Sequence, residues 1–164
     1  DISDGPYIIR YPRGLGEGVP WRESGPSKIE AGKAELLVEG SEVAVLALGP
    51  SANRAAEAAK KLKEETGKCP AVWNVRFLKP FDTAMLESLK GFRAIVTIED
   101  GSLKGGLFSE VSEYASSHGM EARVEGLGVP DRFIPHASAT EQRRSFGLDC
   151  EGKYSQLLGL FKNN

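Results

Sequence analysis

The stretch 93–114, RAIVTIEDGSLKGGLFSEVSEY, constrains the fold more than any other. Ile95, Val96, Thr97 and Ile98 are consecutive β-branched residues, and such side chains suit an extended backbone buried in a sheet. The strand predicted over 94–99 ends in two acids, Glu99 and Asp100, and a glycine-punctuated turn follows over 101–106. Leu107, Val111, Tyr114 and His118 then recur at helical spacing, with Gly119 as the stop. A strand feeding a glycine loop and a helix is half of a βαβ unit. Open α/β sheets gather functional groups where strands end at their carboxyl edge. The loop therefore reads in three ways: a phosphate cradle, an acid site, or a tight turn.

The rest of the chain supplies matching units. Residues 43–48, VAVLAL, form a continuous apolar run, the mark of a strand buried on both faces. Gly49-Pro50 breaks it, and Ser51 suits the N-cap of a helix over 52–66. That helix places Ala52, Ala55, Ala56, Ala59 and Leu62 on one face, and alanines let a helix sit close on a sheet. Residues 71–77 read as the next strand, closed by Pro80; Asp82 suits the cap of a short helix carrying Met85, Leu86 and Leu89 inward. Residues 122–127 read as a weaker edge strand and 128–135 as a loop. Ser138 and Glu141 have capping-box spacing for a helix ending at Gly147, and a last helix presents Tyr154, Leu157, Leu158 and Phe161. With a first strand over 34–38, five strands are expected in a largely parallel sheet with helices on both faces. Gly40-Ser41 separates the first two strands, which either pair antiparallel or lie apart after the first crosses elsewhere.

Upstream, residues 7–11 are β-prone, while 14–32 carry glycine at 14, 16, 18, 25 and 32 with Pro20 and Pro26. Such a stretch suits an extended interdomain connection better than the interior of a compact domain. The chain begins at Asp1 without a methionine, so a piece of a longer polypeptide is expected. Its 164 residues suffice for one core-forming domain. A net charge of −2 gives no general electrostatic reason to bind nucleic acid or an anionic membrane. No apolar run approaches the roughly 18 residues of a membrane span, and no signal peptide is legible. Cys69 and Cys150 lack CxxC spacing, so a reducing, cytoplasmic setting is expected, without a disulfide framework or cysteine-based zinc site.

Candidate chemistry is sparse. The loop 101–106 precedes a helix whose free N–H groups suit an anion, with Lys104 beside them, but it matches neither GxGxxG nor GxxxxGK[ST]. Glu99 and Asp100 suit acid–base work, the orienting of a cofactor, or a plain helix-terminus or interface carboxylate; as neighbours in a strand they point to opposite sides and form no close dyad. Arg10 and Arg13 flank Tyr11-Pro12 and suit phosphate or carboxylate recognition, or a structural salt bridge. His118 and His136 have no carboxylate partner at metal spacing, and Ser41, Ser51, Ser102 and Ser109 lack a GxSxG setting. Trp21 and Trp73 read as packing anchors.

Five strings in order carry a family resemblance: Ile9-Arg10-Tyr11-Pro12-Arg13-Gly14, Val75-Arg76-Phe77-Leu78-Lys79-Pro80-Phe81-Asp82, Thr97-Ile98-Glu99-Asp100-Gly101 with Gly105-Gly106, Gly128-Val129-Pro130-Asp131-Arg132-Phe133-Ile134, and Leu148-Asp149-Cys150-Glu151-Gly152. Over nearly the whole chain they resemble the C-terminal part of the 1-deoxy-D-xylulose-5-phosphate synthase family, within the broader thiamine-diphosphate-dependent transketolase group. The resemblance implies an α/β, three-layer α/β/α domain with a mostly parallel five-stranded sheet and one antiparallel strand. It implies residues 1–13 as the tail of a preceding pyrimidine-binding domain, 14–32 as linker and 33–164 as the domain itself. The implied activity joins pyruvate to glyceraldehyde 3-phosphate with loss of carbon dioxide, in a cytoplasmic homodimer. Thiamine diphosphate and magnesium are implied on preceding domains of the same polypeptide, so the fragment alone is expected to be inactive.

Residue by residue, Arg13 matches the family arginine that reaches the acceptor's phosphate, and Glu99 matches an acidic position at the domain interface, with Asp100 beside it. Many members of the broader group continue with Glu-His where this chain has Asp100-Gly101, and the family's Gly-Phe-Gly-Ser is here Gly106-Leu107-Phe108-Ser109. A transketolase, a 2-oxo-acid dehydrogenase subunit, or a stand-alone interaction domain that kept the fold are the alternatives.

Overall fold

The structure is a computed structural model that describes residues 28–162, together with Pro6, Ile8, Tyr11, Glu23 and Gly25. Most of the expected tail (1–13) and linker (14–32), Arg13 included, lies outside the described residues. Five strands are described: β1 (Glu35–Val38), β2 (Val43–Ala47), β3 (Ala71–Asn74), β4 (Ala94–Ser102) and β5 (Arg123–Val129). The helices among them are α1 (Ser51–Thr66), α2 (Thr83–Ser88), α3 (Leu107–Ser117), α4 (Ala139–Ser145) and α5 (Cys150–Lys162).

The sheet order is β1-β3-β2-β4-β5, parallel throughout except for β1, which runs antiparallel to β3. Of the two arrangements open for the first strand, crossing elsewhere is the one adopted. Burial explains it. All five residues of β2 are buried, so its two edges are needed by β3 and β4, whereas half-exposed β1 suits the sheet margin. The chain passes from β1 to β2 against the start of β3, where a Cβ on Gly40 would lie 2.2 Å from the Pro70 carbonyl carbon. Only glycine fits that approach, and the Ser41 N–H donates to Cys69 O at 3.1 Å.

Two apolar layers cover the sheet. On one face Val43, Val45, Val96 and Ile98 pack against Ala52, Ala55, Ala59 and Leu62 of α1 and Leu157 and Leu160 of α5. On the other, Ala44, Leu46 and Ile95 meet Met85, Leu86 and Leu89 around α2 and Leu107 and Val111 of α3. Each fully buried leucine contributes about 1.5–3 kcal/mol by leaving water. The architecture is therefore the expected three-layer α/β/α form with one antiparallel strand.

Several local expectations shift. Pro50, not Ser51, is the N-cap of α1, and no side chain caps that helix. The Ser51 hydroxyl instead donates to Asp100 Oδ1 at 2.8 Å. Ala58 is fully buried while Ala56 is only partly so. Strand β3 ends at Asn74, and Arg76 adopts a φ of 60° where an extended strand was expected. Strand β4 does not stop at Glu99 but runs to Ser102, with its pairing to β5 interrupted between Ile98 and Ser102. Correspondingly β5 takes in Gly128 and Val129, and Val129 pairs with Ser102 of this extension. Asp82 caps α2 as expected, accepting from Met85 N–H at 3.1 Å, and also accepts from Ala34 N–H at 3.0 Å. The Ser138–Glu141 capping box is formed in both directions.

Candidate functional site at the carboxyl edge

At the carboxyl edge the order of the strands reverses direction. The connection after β2 leads to α1 on one face, and the connection after β4 leads to α3 on the other. Such a switch point is where open α/β sheets place ligands. Glu99 and Asp100 sit there and, as period 2 requires, turn to opposite faces.

Glu99 turns toward α3. It is 6% exposed, and its Oε1 accepts from Phe108 N–H at 3.4 Å, with Leu107 N–H also directed to the carboxylate. Burial pushes its pKa up, and the two backbone hydrogen bonds only partly offset this. The helix end that the glycine loop leaves open is thus filled by the chain's own carboxylate. The helix dipole favours an anion there, and Glu99 supplies it internally. Lys104, the expected assistant, points away and pairs with Asp131 at 2.8 Å. The loop closes on itself, with Gly105 N–H donating to Ser109 Oγ at 2.9 Å. Of the three readings of this loop, the tight turn is the one the geometry supports.

Asp100 turns toward α1 and α4. Its Oδ2 accepts from Arg54 Nη2 at 2.9 Å and Arg143 Nε at 3.2 Å, while Oδ1 takes the Ser51 hydroxyl. Burial would raise its pKa, but the Ser51 hydrogen bond and the two guanidinium charges outweigh this and hold it below the usual range. Beside this network lies Lys153, fully buried, its Nζ donating to Leu148 O. Burial, reinforced by the Arg54 charge, lowers its pKa to about 8. A cleft of about 230 Å³ opens next to Asp100 and Arg143, walled by Val129, Ile134, Phe146 and Leu148.

The sequence reading missed this network. Ser51 was expected as a cap, and Arg54 and Arg143 were not singled out, because nothing local to them reveals Asp100. Lys153 did leave a signal: it falls one turn before Leu157 on the stripe that Leu160 completes. Arg76 was also passed over; it pairs with Glu35 and lies at an open cleft with Gly49, Asn74 and Phe77. Positive φ in a non-glycine residue is strained backbone that surrounding structure must hold in place.

The remaining candidates do not converge. His118 stacks on Tyr114 with ring centroids 3.8 Å apart, and His136 is exposed in the loop after β5. Trp73 packs as expected in the sheet layer facing α2. Cys69 and Cys150 are both free thiols. Among the described residues no group of three or more His, Cys, Asp or Glu could hold a metal ion, and no helix is long and apolar enough to cross a membrane. With the α3 terminus filled by Glu99, that helix end offers no open place for a diphosphate.

Fold and site together define an open, doubly wound α/β domain whose carboxyl-edge acids are satisfied internally. Residues 32–152 match the family described as transketolase, C-terminal domain, and the chain belongs to that family. It is 41% identical to the 1-deoxy-D-xylulose-5-phosphate synthase of Phocaeicola vulgatus over 94% of its own length and 24% of that protein's. The synthase of the same name from Rippkaea orientalis is 38% identical over 100% of this chain and 26% of that protein. Among solved structures, a split-gene transketolase in an inactive beta4 tetramer superposes with a TM-score of 0.71 at 33% identity, over 79% of this chain and 42% of that one. The chain spans about a quarter of the length of the curated relatives it matches.

Proposed function

We propose that this chain is the C-terminal domain of a thiamine-diphosphate-dependent transferase that condenses pyruvate with glyceraldehyde 3-phosphate to 1-deoxy-D-xylulose 5-phosphate, releasing carbon dioxide. The observation that carries the reading is the 41% identity, over 94% of the chain, to a protein named as that synthase. The product would feed isoprenoid, thiamine and pyridoxal precursor synthesis. In this reading the cofactor and magnesium are held by other domains of a cytoplasmic, homodimeric polypeptide, and the cofactor carries the carbon–carbon chemistry. The described residues contribute a rigid scaffold rather than reacting groups. Arg13 is assigned to the phosphate of glyceraldehyde 3-phosphate, and the isolated chain is catalytically inert.

The deciding experiment assays the full polypeptide that carries this segment, with pyruvate and glyceraldehyde 3-phosphate, for 1-deoxy-D-xylulose 5-phosphate. Product formation supports the reading; ketol transfer between sugar phosphates instead would favour a transketolase, the reading that the structural likeness to a split-gene transketolase keeps in play. Calorimetry on the isolated chain should detect no magnesium-dependent binding of thiamine diphosphate, and micromolar binding would contradict the assignment of the cofactor to other domains.

A further inference from the structure

We propose that the loop 130–135, with Phe133 as its anchor, is the surface by which this domain docks on the upstream part of a longer polypeptide. The proposal rests on the reading of the chain as one domain of such a polypeptide. Glu99, an acid expected at the interface, is buried against α3, and Asp100, though still exposed at the cleft, is engaged by Ser51, Arg54 and Arg143. Beside them, the loop after β5 does the opposite. Phe133 is 102% exposed, its ring wholly in water. It lies with Val129 and Pro130 at an open cleft of about 600 Å³, and Ile134 continues the apolar surface into the smaller cleft beside Asp100. The Lys104–Asp131 ion pair forms a polar rim. An aromatic anchor inside a charged rim is the anatomy of a docking patch, in which a few such side chains carry most of the binding energy.

The direction of the chain favours the occupant. Strand β1 begins at the carboxyl edge, since Glu35 pairs with Asn74 at the end of β3. Just before it, Ile29 lines a cleft with Leu48, Gly49 and Asn74, the residues that close β2 and β3. An upstream segment therefore reaches the carboxyl edge at the β1 margin, and loop 130–135 stands on that carboxyl edge at the β5 margin. Relatives about four times as long supply polypeptide enough to cover it. Helix α4, adjoining the loop, has no buried residue and is free to join the contact.

Hydrogen exchange of residues 131–136 tests this, compared between the isolated chain and the full polypeptide that carries it. Docking predicts exchange slowed at least about tenfold in the longer polypeptide, with no dependence on concentration in the isolated chain. Phe133→Ser should abolish that protection while leaving the unfolding midpoint of the isolated chain unchanged. Equal exchange in both proteins, protection that survives Phe133→Ser, or a native gene product beginning near Asp1 would each overturn the proposal. Protection that rises with concentration in the isolated chain would overturn it in favour of a second copy. None of these readouts uses catalysis. A polypeptide that fails the pyruvate assay yet protects the loop would refute the synthase reading and leave the docking face standing.

Discussion

The Glu99 carboxylate occupies the space that a side chain on Gly106 would need: a Cβ there would lie 2.4 Å from Oε2 and 2.6 Å from Oε1. Gly106 has an ordinary extended backbone, with φ −104° and ψ −152°, so the demand for glycine is steric. The buried acid and the absent side chain form one unit that holds the start of α3 against the end of β4.

Gly106→Ala should accordingly destabilise the domain by about 1–3 kcal/mol, the usual cost of overpacking a filled site. The loss should be read by urea unfolding. Shortening the acid frees the space, so in a double-mutant cycle Gly106→Ala should cost clearly less in a Glu99→Ala background. Strict additivity would show that the two residues do not compete for the same volume.

Glu99 also sets a pH dependence. Its pKa is raised in the folded domain, so between the ordinary glutamate value and the raised one the folded state binds more protons than the unfolded state. Its contribution to stability is fully present below the unfolded pKa and is lost as pH rises through the folded pKa. Unfolding midpoints measured from the ordinary glutamate range upward should show this component of decline in the wild type. Glu99→Gln should remove it, and an unchanged profile in that variant would assign the decline elsewhere.

Lys153 acts with the other sign on the alkaline side. Burial lowers its pKa to about 8 against an ordinary 10.5, so the folded state binds fewer protons than the unfolded state across that interval. Stability should rise with pH from about 8 to about 10.5. Lys153→Met keeps the length of the side chain and removes the buried charge. It is expected to stabilise the domain at neutral pH by on the order of 1–4 kcal/mol and to flatten the alkaline rise. Loss of stability in this variant would mean that the hydrogen bond to Leu148 O and the nearby Asp100 and Asp149 charges outweigh desolvation.

For Arg13 the expected effect lies on substrate use. In the full polypeptide, Arg13→Ala should remove a charge-assisted contact worth about 1.5–3 kcal/mol, lowering kcat/KM for glyceraldehyde 3-phosphate roughly ten- to a hundredfold. Pyruvate kinetics should change far less. Unaltered acceptor kinetics would remove Arg13 from the site.

Much of the fold was legible because its signals are local. Val43 to Ala47 read as a doubly buried strand from their unbroken apolar run, and all five are fully buried. Ser138 with Glu141, and Asp82 before its helix, read as caps because a cap needs only residues two or three positions away, and both caps form. The opposite facing of Glu99 and Asp100 followed from the pleat of a strand alone. What the two acids touch was not legible. Asp100 meets Ser51 and Arg143, which lie 49 and 43 residues away, and no periodicity encodes such a meeting.

The sequence by itself determined the alternation of strands and helices, the buried faces and the strings that mark the family, since propensity, spacing and capping act within a turn or two of backbone. Tertiary structure decided that β1 lies beyond β3, because central β2 needs both of its edges. It also decided that the glycine loop is a turn and no phosphate cradle. A helix end offers its N–H groups to whatever anion reaches it first. Here the fold brings Glu99 to that position, in the space that Gly106 leaves open.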